Sequence, residues 1–405
     1  MSTRRFQPDM QPRKMTEILE LNSRIDTETL LTPPRSLLGR NLTQPGRPQL
    51  KIVILGPSLT SSLGNGAAAT YRGLVRELCA RGHDVLFLER GERAARRDWP
   101  KLPCGRVEYY GGLTELKDRH AAAVCAADFV VVGSHMRDAI EIGEWVTRVA
   151  QGATAFYDLD SVGTVAKLNQ GKAGYISTAL IPRYQMYLSF TGGPLLNRFE
   201  TEFGSPMARP LYSAVDAKLF FPENLEHKWD LGYLGAYSSE RQPALERLFL
   251  EPARRWNEGR FVVAGSQYPR SMRWPKNVKR GPLVPPAKRR AFYNSQRFAL
   301  RILPSSANSI GFSPSARLFE AAACGTPVIT EFWPGLDTFF TPDEEILISH
   351  SADETMIYLE EISELERRRL GYRARERVLA KHTTRHRAAE LESYVLEVLK
   401  VSMAS

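Results

Sequence analysis

Cysteine is scarce in this chain: four residues among 405, with Cys79, Cys104, Cys125 and Cys324 sharing no C-x-x-C spacing. That argues against a disulfide scaffold or a structural zinc site and makes a reducing cytoplasm the expected compartment. Long apolar runs are lacking too. The best, His120 to Ser134, is broken by Asp128 and is too short to span a bilayer. Met1–Lys14 is polar and Arg-rich without an apolar core, so no secretory signal is expected. The chain reads as a soluble protein, with attachment to a membrane surface left open.

Acid is in deficit. Lys and Arg number 55 against 45 Asp and Glu, a net charge of +10, which allows an acidic or phosphorylated partner without requiring one. Between Gln267 and Arg301 acid is absent altogether. That stretch holds Arg270, Arg273, Lys276, Lys279, Arg280, Lys288, Arg289, Arg290, Arg297 and Arg301, with Tyr268, Trp274 and Tyr293 interleaved. Nucleic acid, an anionic surface or an acidic polysaccharide would fit it, but charge runs are more often solvated faces.

What is present is a repeated strand–helix rhythm. Residues 1–49, with Pro8, Pro12, Pro33, Pro34, Pro45 and Pro48, read as a disordered arm with one short helix near Met15–Leu21. Lys51–Leu55 then opens a series of short apolar runs (Asp84–Leu88, Asp128–Val132, Ala153–Tyr157, Tyr187–Phe190), separated by helical patterns at Ala67–Arg81, Asp138–Gln151 and Pro194–Phe203. The rhythm restarts after a linker at 211–224. Strands are expected at Asp230–Leu234, Arg260–Ala264, Phe298–Ile302, Pro327–Thr330 and Glu345–Ile348, and helices at Gln242–Trp256, Ala287–Ser295 and Arg317–Cys324. Helices at about Ala352–Lys381, broken near Gly371, and Thr384–Val401 close the chain. The expected architecture is α/β, with two parallel-sheet halves at 50–210 and 225–382 and a C-terminal helix in 383–405. Ligands in such sheets bind beyond the carboxyl ends of the strands.

Several constellations fall at those ends. Gly64-Asn65-Gly66-Ala67-Ala68-Ala69 fits G-x-G-x-x-A, with Glu89 closing the next strand. Pro57–Leu63 separates it from its strand, so a nicotinamide site is disfavoured against a flexible loop at a helix start. Asp158-Leu159-Asp160 directly follows a strand. Two carboxylates alone are a weak metal signal, and a general base is the better functional reading; the plainer one has Asp160 capping the next turn and Asp158 paired with a neighbour. His382 and His386 have zinc-ligand spacing but no third partner, and read as a solvated face.

Ser313-Pro-Ser-Ala-Arg-Leu-Phe-Glu-Ala-Ala-Ala-Cys-Gly-Thr-Pro-Val-Ile-Thr330 is the most informative run. Ser313 or Ser315 can cap a helix whose free N–H groups face an anion. Arg317 in the first turn opposes the helix dipole unless an anion is bound. Glu320, one turn on, can accept two ribose hydroxyls, which favours a nucleoside diphosphate as occupant.

Leu318–Ile329 resembles the donor-binding helix of glycosyltransferases with the GT-B fold, two Rossmann-like domains facing each other across a cleft. Val215-Asp216 with Phe220-Phe221-Pro222 resembles their interdomain segment, and Gly82-His83-Asp84-Val85 their second-strand entry. Ser313–Thr330 with Gly335-Leu336-Asp337 and Glu345-Ile346-Leu347 is similar to the bacterial CgeB-like (spore maturation protein-like) glycosyltransferases, and the resemblance spans roughly 50–395. It implies a metal-independent transfer from a nucleotide-sugar co-substrate, the second half holding the donor and the first the acceptor. Carried over by position, Glu320 holds the ribose, Ser313, Ser315, Arg317 and Leu318 lie by the diphosphate, and Tyr237, Ser238 and Arg241 occupy a loop that contacts it. Many retaining members carry a second Glu eight residues before Glu320, where this chain has Phe312. An inverting reaction needs a base from the first half: Asp160 first, then Asp158 or His135, with Gly64, Asn65 and Gly66 in the adjoining loop. A surface polysaccharide, a protein, a small molecule or, more sharply, modified DNA are the acceptors weighed. The alternatives are a non-catalytic shell that binds sugar nucleotide or polyanion, and a sugar-nucleotide epimerase.

Overall fold

The computed structural model describes residues 48–59, 66–91 and 104–404; the expected arm at 1–49, its last two residues apart, lies outside them. In the first half β1 (Lys51–Gly56), α1 (Gly66–Ala80), β2 (Asp84–Arg90), β3 (Arg106–Tyr110), α2 (Leu113–Cys125), β4 (Phe129–Gly133), α3 (Ala139–Val149), β5 (Ala153–Asp158), α4 (Ser161–Asn169), β6 (Met186–Ser189), α5 (Pro194–Thr201) and β7 (Ala208–Pro210) follow one another. The strands form one parallel sheet in the order β3-β2-β1-β4-β5-β6-β7. Ile54 and Val131 face one covering layer of helices, and Val53 and Val130 the other. Burial on both faces is why these strands read as unbroken apolar runs.

The second half carries β8 (Trp229–Leu234), α6 (Gln242–Leu245), a π-helical turn, α7 (Glu251–Arg255), β9 (Phe261–Ala264), β10 (Val278–Gly281), α8 (Pro286–Asn294), β11 (Gln296–Arg301), α9 (Ser305–Ile310), α10 (Ala316–Ala323), β12 (Val328–Thr330), α11 (Leu336–Phe339), β13 (Leu347–Ile348), α12 (Ala352–Glu361), α13 (Glu364–Lys381) and α14 (Thr384–Ala404). Its sheet is parallel, in the order β10-β9-β8-β11-β12-β13. In each sheet the order reverses beside the first strand, between β1 and β4 and between β8 and β11. The crevices at those reversals are where a parallel sheet offers room to a ligand.

One expected break is misplaced. The long C-terminal helix is interrupted at Ile362–Ser363, where the Ser363 hydroxyl accepts the Glu366 N–H at 3.2 Å and starts α13. Gly371 lies inside α13, because a side chain there would meet the Gly325 carbonyl oxygen at 2.0 Å. Helix α14 crosses back to the first half. Ala388, Leu391, Val395 and Val398 share a core with Tyr71, Leu74, Val75 and Leu78 of α1, and Glu392 receives Arg81 and lies 3.5 Å from His83 Nε2. Where the chain crosses, the Thr384 N–H donates to Val215 O at 3.0 Å.

Candidate functional site

The β8/β11 reversal concentrates positive charge. Arg301, the last residue of β11, donates from Nε to the Ser315 hydroxyl at 2.6 Å, and Arg317, in the first turn of α10, donates from Nη1 to Leu234 O at 3.0 Å. Arg241 precedes α6, and its buried Nε has no hydrogen-bond partner. Among the described residues no carboxylate pairs with any of the three. The loss of water around Arg301, then repulsion from Arg317 and Arg241, pushes its guanidinium down to about 10, still charged at neutral pH. Ser315 caps α10 by accepting the Leu318 N–H at 3.3 Å, and Leu318 itself is buried. Tyr268 stands beside Arg241 and Arg317, donates to Gly235 O at 2.8 Å and packs edge-on to Tyr237. Ser238 accepts the Arg241 N–H through its carbonyl. Three guanidinium groups at a helix start, in no salt bridge among the described residues, can hold an anion; Glu240, which accepts the Ser306 N–H at 3.1 Å, is an acid within the field of Arg241.

Glu320 is 5 % exposed, and both its oxygens are engaged, one by Arg289 Nη1 at 3.0 Å and the other by the Tyr293 hydroxyl at 3.2 Å. Its partner is thus Arg289 of α8, not Arg317 one turn away. A ribose would have to share this carboxylate with the buried pair.

In the first half β4 and β5 bring His135, Asp158 and Asp160 together. His135 is exposed on a left-handed backbone (φ 64°), with Nδ1 3.0 Å from the Ser134 hydroxyl and its ring against Tyr175. The Ser134 hydroxyl in turn accepts the Leu159 N–H at 3.0 Å. Asp158 is fully enclosed; its carboxylate accepts the Tyr187 hydroxyl and, at 3.0 Å, the Asp160 N–H. Asp160 is exposed and caps α4, accepting the Gly163 N–H at 3.2 Å. Loss of water raises its carboxyl and Asp158 adds to the rise, against the Gly163 N–H, His135 and Lys167. The salt bridge expected of Asp158 is replaced by a tyrosine hydroxyl.

The halves meet at Phe312. Its carbonyl accepts the Gly192 N–H at 2.9 Å, and the Thr191 hydroxyl donates to the Ser313 hydroxyl at 3.2 Å. Ser313 is thereby a strut between halves and Ser315 is the cap. Gly64 and Asn65 lie outside the described residues, and Gly66 opens α1. Glu89 cannot serve a nicotinamide ribose as the fingerprint expects: it is fully buried, accepting the Ser58 hydroxyl at 2.8 Å and the Leu59 N–H at 2.9 Å. His382 is buried rather than solvated, stacked 4.8 Å from Phe319, because the crossing into α14 turns it inward. Among the described residues no three His, Cys, Asp or Glu side chains gather as a metal cage.

The basic stretch divides by destination. Arg289, Arg290 and Arg297 pair with Glu320, Glu223 and Asp230, and Arg301 joins the anion site. Arg270, Arg273, Lys276, Lys279, Arg280 and Lys288 are exposed without a carboxylate among the described residues. Arg301 and Tyr268 are the site residues that sequence reasoning leaves in the charge run. A cation at the last position of a central strand is the signal that could have marked Arg301.

A model of the family described as "Glycosyl transferase-like" matches residues 241–393. No curated protein sequence matches the chain. Among solved structures it is similar to sucrose-phosphate synthase from Thermosynechococcus elongatus, at 15 % identity over 87 % of this chain and 100 % of that one, with a TM-score of 0.61. HepE of Anabaena in complex with UDP-glucose is similar at 11 % identity over 87 % and 100 %, TM-score 0.60. An alpha-glucosyltransferase in complex with UDP-glucose and DNA containing an abasic site follows at 11 % over 86 % and 100 %, TM-score 0.63. These are GT-B proteins whose whole length overlays this chain. The fold is GT-B. In GT-B terms the anion site belongs to the second Rossmann-like domain, and the His135–Asp158–Asp160 cluster to the first.

Proposed function

We propose that this protein transfers a sugar from a nucleoside-diphosphate sugar to an acceptor hydroxyl. The observation that carries the reading is the trio of Arg241, Arg301 and Arg317, three guanidinium groups at the β8/β11 reversal that form no salt bridge among the described residues. The family match over 241–393 and relatives solved with UDP or UDP-glucose support it and favour a UDP-sugar. As the bond from the sugar to the diphosphate breaks, the arginines and the start of α10 take up the charge of the leaving group. They supply that charge without a divalent cation, so turnover should survive EDTA. Leu318, Tyr237 and Ser238 shape the wall beside the diphosphate, and Glu320 reaches the ribose from its pair with Arg289. Asp160 takes the proton of the acceptor hydroxyl in an inverting transfer. The acceptor reading of 50–210, the donor reading of 225–382, the CgeB-like affinity of Ser313–Thr330 and a cytoplasmic location belong to the same proposal.

Thermal shift against UDP, GDP, dTDP and CDP sugars, with NAD and a DNA duplex as controls, tests it. A ligand at about 100 times its Kd stabilises by about 2.7 kcal/mol. A shift with one nucleotide family, lost in Arg317→Ala, is expected; a shift with DNA alone overturns the reading. DNA as the acceptor is a second reading, favoured by the six exposed cations of 270–288 that pair with no carboxylate among the described residues and by the similar structure solved with DNA. Sugar incorporation into duplex DNA decides it.

A further inference from the structure

Asp158 is a carboxylate where the fold needs only a hydrogen-bond acceptor. It ends β5 fully enclosed, between the Tyr187 hydroxyl from β6 and the Asp160 N–H, with Tyr71 of α1 close by. Among the described residues no Lys, Arg or His pairs with it. A fully enclosed carboxylate with two donors and no cation is costly to bury, and a neutral side chain would anchor the same turn. The turn is independently fixed from the other side by the Ser134 hydroxyl on the Leu159 N–H. Two residues on, Asp160 stands at the surface, one carboxylate oxygen accepting the Gly163 N–H at 3.2 Å.

The geometry points to Asp158 as a positioning residue that acts through Asp160, fixing its backbone by the hydrogen bond and setting a second, enclosed carboxylate two residues from it. The proposal deepens the reading of Asp160 as proton acceptor and rests on it. A like charge in poorly solvated surroundings raises a carboxyl's proton affinity, and Asp160 is raised with Asp158 among the causes. The other groups facing Asp160 work the opposite way: His135 from the loop after β4, Lys167 from α4 and the Gly163 N–H. Helix α9, which touches α4 from the second half, carries no charged residue. Loss of water is the first cause of the rise at Asp160, and Asp158 is the neighbouring carboxylate that adds to it.

The test needs neither donor nor acceptor. Carbon-13 NMR titration of labelled aspartates, with Asp160 assigned by its loss in Asp160→Asn, follows the carboxyl directly in the full chain. Its midpoint should lie above the ordinary aspartate value of about 3.9 and fall in Asp158→Asn. Tyr187→Phe, which keeps the charge and removes one donor, should leave Asp160 above the ordinary range and so separates charge from packing. A wild-type midpoint at or below the ordinary value overturns the proposal even if Asp158→Asn does not fold, and so does a midpoint that Asp158→Asn leaves in place. Once an acceptor is in hand, the acid limb of kcat/KM should shift down with the midpoint. If Asp160→Asn keeps full rate, the reading of Asp160 as the base fails, while the titration still reports on the Asp158–Asp160 coupling.

Discussion

Arg301 gives its Nε–H to the same Ser315 hydroxyl that caps α10, at 2.6 Å. The last residue of a central strand and the cap of α10, the second helix after it, are joined through one oxygen, and a cation in no salt bridge among the described residues is held where the helix N–H groups converge. On the function proposed above, such a charge serves the donor's diphosphate rather than the empty fold.

Arg301→Met should therefore separate stability from binding. Removing a guanidinium that is poorly solvated and repelled by Arg317 and Arg241 is expected to leave the melting temperature unchanged or raised. Affinity for UDP should fall at least about tenfold, the size of one charge-assisted bond. Calorimetry and a UDP titration on the same preparation measure both; retained affinity with a lowered melting point would assign Arg301 to the fold.

Gly193 and Gly335 close on the two faces of the Phe312 ring, the first from α5 and the second from α11. A Cβ at Gly193 would lie 2.3 Å from the ring, one at Gly335 2.4 Å, and the Gly193 backbone is left-handed (φ 62°). Gly193→Ala should cost about 1–3 kcal/mol from the backbone alone and more from the clash. Phe312→Ala should recover the clash part but not the backbone part. A double-mutant cycle in urea measures the split, and strict additivity would mean that the ring moves aside freely.

His382 gives the protein an acid dependence of known sign. Burial, then Arg387 and His386, depress its imidazole to about 3. Between that value and about 6.5 the unfolded chain binds a proton that the folded chain refuses. Its contribution to stability is complete above pH 6.5 and is lost progressively as pH falls towards 3. His382→Gln, which does not titrate, should narrow the gap between urea midpoints at pH 7.5 and pH 5. An unchanged gap would place the acid sensitivity elsewhere, His386 being the nearest group also held low.

The strands of both sheets were legible because burial on two faces leaves unbroken apolar runs, as at Lys51–Gly56 and Phe129–Gly133. The edge strands β3, β7 and β10 were not, since their residues are mostly half-covered or exposed and show no such run. Helix α10 was legible through Ser315 and the small residues Ala321–Ala323, and with it Arg317 and Glu320. Local pattern does not carry partnership across the sheet. Arg301 lay in a run of ten cations, and only the fold turned it to Ser315 while sending Arg289 to Glu320.

The sequence by itself therefore determined two parallel-sheet halves, the helix capped by Ser315, and the pair of aspartates at the end of β5. These rest on periodicity and capping, which involve residues a few positions apart. The tertiary structure alone decided that Asp158 is enclosed while Asp160 is open, that Glu89 holds its own loop, and that α14 returns to the first half. Each of those depends on which distant segment excludes water from a side chain, a contact between residues tens to hundreds of positions apart that no local pattern records.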